Sequence, residues 1–255
     1  MAKIDIHTDA VFTAGNYLTD INLHYPSDIT KVSSLFANCI LQADFDSATP
    51  TSLTRNRVSA TPMTVVGAPA LGTQGATFSE TAYIDTGLNI SAYNGVDLTF
   101  VAIAMNPGGI FNLVGRLQTA APQQSRSLLW SAATIATCRW NSSAGTSTGG
   151  NITPSTPTGQ AEFLVGRTAN NNGSNVIQAT IDVPRTGGEA AQTGTAAAYA
   201  MPSSEILIGA SVGATTTVTC FIRAVLVFNR VLADSEITAL YRLYQNYYYF
   251  DGIAI

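Results

Sequence analysis

Asp44 and Asp46 stand two residues apart at the end of the apolar run Cys39-Ile-Leu-Gln-Ala-Asp-Phe-Asp. On an extended strand that spacing puts both carboxylates on one face. Such a pair could contribute to a Ca²⁺ site, because this hard cation takes six or more oxygen ligands. The simpler expectation is a pair of solvated carboxylates at a strand end, so no cofactor is expected. Glu80 with Asp85 is the other nearby acidic grouping. The histidines, His7 and His24, lie close to the N-terminus, away from any serine or cysteine with a nucleophile signature. No Gly-x-Ser-x-Gly occurs, and Gly187-Gly188 does not fit a phosphate loop. Cys39, Cys138 and Cys220 are odd in number and widely spaced. They are expected to be buried free thiols, in neither a disulfide framework nor a zinc site.

Binding chemistry has more support. A carbohydrate site combines an aromatic platform with planar polar side chains on loops. Trp140-Asn141 opens a stretch to Gln160 that is rich in Ser, Thr, Gly, Asn and Pro, with Arg139 and Arg126 as possible donors. Asn170-Asn171-Asn172-Gly marks a hairpin turn. The candidate ligand-binding residues are therefore Arg139, Trp140, Asn141, Asn171 and Asn172, with no catalytic and no metal residue named. Trp130 is expected in the core or at a subunit contact. For Trp140, core and platform stay equally open.

The bulk composition bounds the class. The chain has 255 residues, of which 46% are hydrophobic and only 11% charged. An ordinary globular protein has about a quarter charged residues. Lys3 and Lys31 are the lysines. The polar surface must come from Thr, Ser, Asn and Gln, which suits extracellular, virion or fibrous β proteins. The net charge is −4 and no basic run exists, which argues against nucleic acid as a partner. No window approaches 18 consecutive apolar residues, so no membrane insertion is expected. The N-terminus lacks an apolar segment of the secretory type.

The elements that must position these residues read mostly as strands. Leu98 to Met105 is nearly continuous in apolar residues, as in a strand covered on both faces. Gly75-Ala-Thr-Phe and Ala82-Tyr-Ile-Asp suggest two short strands around a turn near Ser79-Glu80. Phe111-Asn-Leu-Val, Ser127-Leu-Leu-Trp, Thr134 to Trp140, Glu162 to Arg167, Asn175 to Asp182, Glu205 to Ala210 and Val218 to Phe228 extend the series. Asn141–Gln160 and Val183–Pro202 read as irregular loops. A helix is expected from Asp234, with Asp234 as its cap and Ile237, Leu240, Tyr241 and Tyr244 on one face. Tyr247-Tyr248-Tyr249-Phe250 then reads as a packed cluster. About a dozen strands and one helix imply a sandwich or barrel. Met1–Asn38 differs in composition and reads as an arm for anchoring or subunit contact, ahead of one domain over residues 39–255.

Phe45-Asp46, Gly67-Ala-Pro-Ala-Leu-Gly, Gly75-Ala-Thr-Phe, Ala82-Tyr-Ile-Asp-Thr-Gly-Leu, Leu98-Thr-Phe-Val-Ala-Ile-Ala and Ile206-Leu-Ile-Gly-Ala form a recognisable set. With Asn229-Arg-Val-Leu-Ala-Asp-Ser-Glu-Ile they resemble a concanavalin A-like, laminin G-like jelly roll of the kind found in phage tail and virion proteins. The resemblance covers about Cys39 to Tyr248. It implies an all-β sandwich with one short C-terminal helix that acts as a structural lid. Glycosidases of this fold carry a Glu-x-Asp-x-x-Glu triplet on one strand, and none occurs here. The resemblance therefore implies a non-enzymatic virion protein, a tail-fibre or receptor-binding component that meets host surface glycan or protein through its loops. Capsid or baseplate decoration is the alternative, and a glycan-degrading enzyme the third. The implied partners are other virion proteins and sister copies, a trimer first, with assembly in the bacterial host cytoplasm.

Overall fold

The computed structural model describes residues 34–118, 124–141, 147–157, 159–171, 176–195, 201, 203–211, 217–249 and 252–255. In chain order the strands are β1 (Cys39–Asp44), β2 (Thr64–Val66), β3 (Ala70–Gly72), β4 (Gly75–Phe78), β5 (Tyr83–Asn89), β6 (Leu98–Met105), β7 (Phe111–Leu117) and β8 (Ser125–Ala132). They continue with β9 (Ile135–Asn141), β10 (Ser147–Ile152), β11 (Ala161–Asn171), β12 (Val176–Val183), β13 (Gly188–Thr195), β14 (Glu205–Ile208) and β15 (Cys220–Phe228). One helix, α1 (Asp234–Tyr249), follows. Among the described residues no helix is long and apolar enough to cross a membrane.

The strands form two antiparallel sheets packed face to face. One sheet has the order β13-β12-β11-β6-β15-β4-β3, with β1 pairing β15 beyond β4. The other has the order β10-β9-β8-β7-β14-β5-β2. The expected turn at Ser79-Glu80 is present, closed by a bridge between Ser79 and Ala82. There the chain passes from one sheet to the other, because β4 and β5 lie in different sheets.

The apolar run of β6 is explained by its place. Leu98, Phe100, Ala102 and Ala104 enter the core between the sheets, while Val101 and Ile103 enter a second core on the outer side. β15 divides in the same way, with Val225 and Val227 inside and Ala224, Leu226 and Phe228 outside. The second core is covered by α1 through Ile237, Leu240, Tyr241, Tyr244 and Tyr248. The helix is thus a lid on the eight-stranded sheet. The tyrosine cluster is packed only in part: Tyr248 is buried, whereas Tyr249 is 76% exposed, and Phe250 lies outside the described residues. Of the N-terminal arm, only Ser34 to Asn38 is described. Phe36 packs 6.5 Å from Phe228, and Arg230 donates to the carbonyls of Leu35 and Ala37.

Asp234 does not cap its own helix. Glu236, at the third helical position, accepts from the backbone N–H of Ala233 at 2.8 Å, one half of a capping box. Arg230 holds the Glu236 carboxyl below the usual carboxylate range by hydrogen-bonding it at 2.7 Å.

Two strands contradict the expected loops. β10 lies within Asn141–Gln160 and β13 within Val183–Pro202. Neither shows apolar alternation, because each meets the other where the two sheets close together. A Cβ on Gly150 would lie 2.2 Å from the carbonyl oxygen of Ala190, and one on Gly194 1.9 Å from Thr148 Oγ1. Only glycine permits that approach.

The acidic pair expected at a strand end is also different. Asp44 is buried, paired with Arg57 Nε at 2.8 Å, and accepts from Gln42 Nε2 at 3.1 Å and Tyr244 Oη at 3.0 Å. Burial raises its carboxyl above the usual range despite Arg57. Asp46 Oδ1 accepts from the backbone N–H of Ala48 at 3.0 Å, as in an Asx-turn. The two carboxylates are neither solvated nor free to share a cation. Glu80 is likewise occupied, accepting from the N–H and Oγ of Ser211, both at 2.9 Å.

Candidate functional site

Strand alternation sorts the residues of β8 and β9. Leu128, Trp130, Ala136, Cys138 and Trp140 belong to the inner core, so Ser125, Ser127, Leu129, Thr137, Arg139 and Asn141 face outward. The register sets them in rows across the sheet. One row runs Leu207, Gly115, Ser127, Arg139, Gly149. The next holds Leu117, Ser125 and Asn141. A third holds Asn112, Leu129, Thr137 and Asn151. Leu117, Leu129 and Leu207 stand among its hydroxyls and amides, and Asn112, Ser125, Ser127 and Leu129 are fully buried, whereas Arg139 is half-buried.

The two glycines shape the row. Gly115 has φ +116°, and a Cβ there would lie 2.4 Å from the carbonyl oxygen of Arg126. A Cβ on Gly149 would come within 3.2 Å of the carbonyl oxygen of Cys138. Arg139 therefore has no side chain beside it at Gly149.

The polar groups here differ in their satisfaction. Thr137 Oγ1 donates to Asn151 Oδ1 at 2.7 Å and shares a hydrogen bond of 2.6 Å with Ser131 Oγ. Ser125 Oγ, Ser127 Oγ, Asn141 Oδ1 and Asn112 Oδ1 are buried and have no hydrogen-bond partner among the described residues. A buried polar group left unpaired costs about 1–3 kcal/mol. Arg139 is half-buried and makes no hydrogen bond or ion pair with the described residues. Burial draws its pKa down, yet a guanidinium stays charged at neutral pH.

Of the sequence candidates, Arg139 and Asn141 are cross-strand neighbours of Ser127 and Ser125 on this face. Trp140 is not a ligand platform. It is 1% exposed, and the buried Arg126 guanidinium lies 4.2 Å from its ring centroid. Arg126 is equally unable to meet a ligand directly. It spans the interior to Thr168 Oγ1 at 2.9 Å, the Tyr93 carbonyl at 2.9 Å and the Val96 carbonyl at 2.6 Å. Burial brings its pKa down to about 9, so it remains charged at neutral pH. Asn171 ends β11, opposite Val176 on β12, in the expected hairpin. Its side chain and Asn172 lie outside the described residues.

Ser125, Ser127 and Asn112 were not anticipated from sequence. The alternation Ala136, Cys138, Trp140 against Thr137, Arg139, Asn141 is the signal that sends Trp140 inward and Arg139 outward.

Two shallow hollows lie elsewhere. One, of about 180 Å³, sits at the start of α1 and includes Arg167, Thr180, Glu189 and Asp234. Arg167 fills its chemistry, bridging Asp182 at 2.6 Å, Glu189 at 3.0 Å and Asp234 at 2.7 Å. Burial raises the Asp182 carboxyl to about 6 even beside that guanidinium. The clamp ties the helix start to β11, β12 and β13. The other, of about 240 Å³, lies in the loop from Thr51 to Pro62. Both are smaller than typical small-molecule sites of about 300–1,000 Å³. The three cysteines are free, and burial raises the thiols of Cys39 and Cys138 to about 12.

No family model and no curated protein sequence matches the chain. Solved structures do. The botulinum neurotoxin serotype D binding domain aligns with TM-score 0.53 at 11% identity, over 82% of this chain and 53% of its own. The botulinum neurotoxin type G receptor binding domain aligns with TM-score 0.54 at 12% identity, over 82% and 52%. A mutant of Trypanosoma rangeli sialidase displaying trans-sialidase activity aligns with TM-score 0.53 at 17% identity, over 83% and 34%. The chain thus spans about half the length of the toxin domains and about a third of the sialidase. At these identities the likeness establishes the fold, a jelly-roll-like β-sandwich.

Proposed function

We propose that this domain is a non-enzymatic binding module that holds a cell-surface glycan or protein on the outer face of its seven-stranded sheet. We further propose that it serves as a tail-fibre or receptor-binding component of a bacteriophage particle. The observation that carries the binding assignment is the face itself. On it Arg139 is half-buried, points away from the inner core and has no hydrogen bond or ion pair among the described residues. A guanidinium in that place offers several N–H donors to sugar hydroxyls or peptide carbonyls. No carboxylate stands among Arg139 and its cross-strand neighbours, so the paired acids of glycoside hydrolysis are not part of this arrangement. The toxin domains of similar fold are by name a binding domain and a receptor binding domain, which supports the reading. The low-charge, Thr- and Asn-rich composition supports the particle setting. Other virion proteins and sister copies, a trimer first, complete the proposed assembly. The segment proposed to anchor it lies mostly outside the described residues.

A glycan array that includes bacterial surface polysaccharides, run beside whole bacterial cells, tests this. Retention of one glycan class or one cell type is expected, with the polysaccharide's chain length unchanged after incubation. Retention on neither overturns the binding assignment, and shortened polysaccharide overturns its non-enzymatic half.

A further inference from the structure

The start of α1 is tied to the sheet by a charge cluster that ligand binding does not use. Arg167 of β11 reaches three carboxylates at once: Asp182 of β12 at 2.6 Å, Glu189 of β13 at 3.0 Å and Asp234 of α1 at 2.7 Å. An oxygen of each carboxylate lies within 4.8 Å of the others. One guanidinium against three carboxylates leaves two negative charges uncompensated. Like charges this close disfavour each other's ionised form, and uptake of a proton relieves them. Hydration decides which carboxylate takes it. The Glu189 and Asp234 side chains are 51% and 81% exposed, whereas that of Asp182 is 10% exposed. Water screens the first two charges and hardly reaches the third. The Asp182 carboxyl is accordingly raised to about 6: burial is the main cause, Arg167 opposes it, and Glu189 and Asp234 add to it. Nearby charges are otherwise engaged. Glu236, also in the first turn of α1, is bound by Arg230 at 2.7 Å, and Arg185, just after β12, pairs with Glu162 at 2.7 Å. The Cys138 thiol of β9 senses Asp182 too, but burial raises it to about 12 and keeps it neutral.

We propose that this cluster is a proton-linked latch: in mild acid Asp182 takes up a proton, and the start of α1 is then held more firmly to the sheet than at neutral pH. The helix joins the cluster through Asp234. With Asp182 neutral, Asp234 loses one like-charged neighbour, and Arg167 divides its attraction between two carboxylates instead of three. The sign follows from linkage. The folded chain binds this proton more tightly than the unfolded chain does. The contribution is therefore full below the ordinary carboxylate range and is lost as pH rises through about 6. The latch acts on the lid over the second core, on the eight-stranded sheet, and does not depend on the outer face of the seven-stranded one.

Two readouts on the full-length protein test the latch. The Asp182 carboxyl carbon, followed by NMR against pH, is expected to titrate near 6. Amide exchange in the first turn of α1, corrected for the intrinsic rate, is expected to slow about threefold or more from about pH 7.5 to about pH 5. Ile237, which donates to the Ala233 carbonyl at 2.9 Å, is a suitable probe. The readout must be local, because Asp44, bonded to Tyr244 further along α1, is raised as well and adds its own share to global stability. Asp234→Asn and Glu189→Gln are each expected to lower the Asp182 midpoint by about half a pH unit or more. For Asp234→Asn, that fall and the slowed exchange are one coupling read from two sides. Asp182→Asn is expected to remove the pH dependence of the exchange. An Asp182 midpoint within the ordinary carboxylate range overturns the proposal. So does exchange at the start of α1 that is unchanged or faster in mild acid, and so does a midpoint that neither exposed variant moves. Asp234→Asn and Glu189→Gln alter exposed groups, so they keep the test decisive even where Asp182→Asn fails to fold.

Discussion

Asp44→Ala is expected to lower the unfolding free energy by about 3–5 kcal/mol, the range for breaking a buried ion pair from one side. Asp44 and Arg57 are 5% and 4% exposed at their side chains and 2.8 Å apart. Removing the carboxylate leaves the guanidinium without its ion-pair partner in a site that excludes water. It also removes the acceptor of Gln42 and of Tyr244, so the change reaches β1, the following loop and α1 together. The pair itself contributes less than this loss suggests. Burial raises the Asp44 carboxyl despite Arg57, which means that desolvation outweighs the attraction. The double variant Asp44→Ala/Arg57→Ala is therefore expected to lose less than the sum of the two single variants. Denaturant unfolding with an unchanged m-value measures all three. A loss below about 1 kcal/mol in Asp44→Ala would show that the knot is not closed to water, since exposed pairs are worth about that or less.

Trp140→Ala is expected to cost about 3–5 kcal/mol, the range for truncating a large aromatic in a core. The indole is 1% exposed, and its ring faces the Arg126 guanidinium at 4.2 Å. That arrangement adds a cation–π attraction of up to about 2 kcal/mol when both groups are desolvated. Losing the ring removes both the packing and the surface on which a buried cation rests. Trp140→Phe keeps a ring face and is expected to cost less than half as much. The same pair of variants separates the two roles considered for this residue. A core tryptophan loses stability first and binding only as the fold fails. A ligand platform would lose binding with the unfolding midpoint intact, and that outcome would contradict the buried position.

Much of the sandwich was legible because its central elements obey simple periodicities. β6 reads as a buried strand since both its faces are covered, one by the opposite sheet and one by α1. Ile237, Leu240, Tyr241 and Tyr244 repeat at helical spacing because they sit on that same second core. The illegible parts share one cause. β10 and β13 are written mostly in Gly, Ala, Ser and Thr because their backbones approach too closely for larger residues at Gly150 and Gly194. Small residues carry no periodic signal, so the strands resembled loops. Asp44 was misread for a related reason. Its partners Arg57 and Tyr244 lie 13 and 200 residues away in sequence, and only the fold brings them together. The candidate site was half legible. Composition near a polar stretch puts Arg139 and Asn141 among the candidates, whereas for Trp140 it leaves core and platform equally open, and the fold places the indole in the core. Strand alternation, applied from Ala136 to Asn141, assigns all of them correctly. Ser125 and Ser127 carry no distinguishing chemistry in sequence. Their burial on the outer side of β8 is a property of the fold alone.

The central claim is that ligand binds the outer face of the seven-stranded sheet. Backbone amide shifts of the isotopically labelled protein, recorded with and without a glycan retained on the array, test it most directly. The account predicts shifts centred on Ser125, Ser127, Thr137, Arg139, Asn141 and Gly149, with α1 and the loop from Thr51 to Pro62 unmoved. Shifts confined to α1 or to that loop, with those six residues silent, would contradict it.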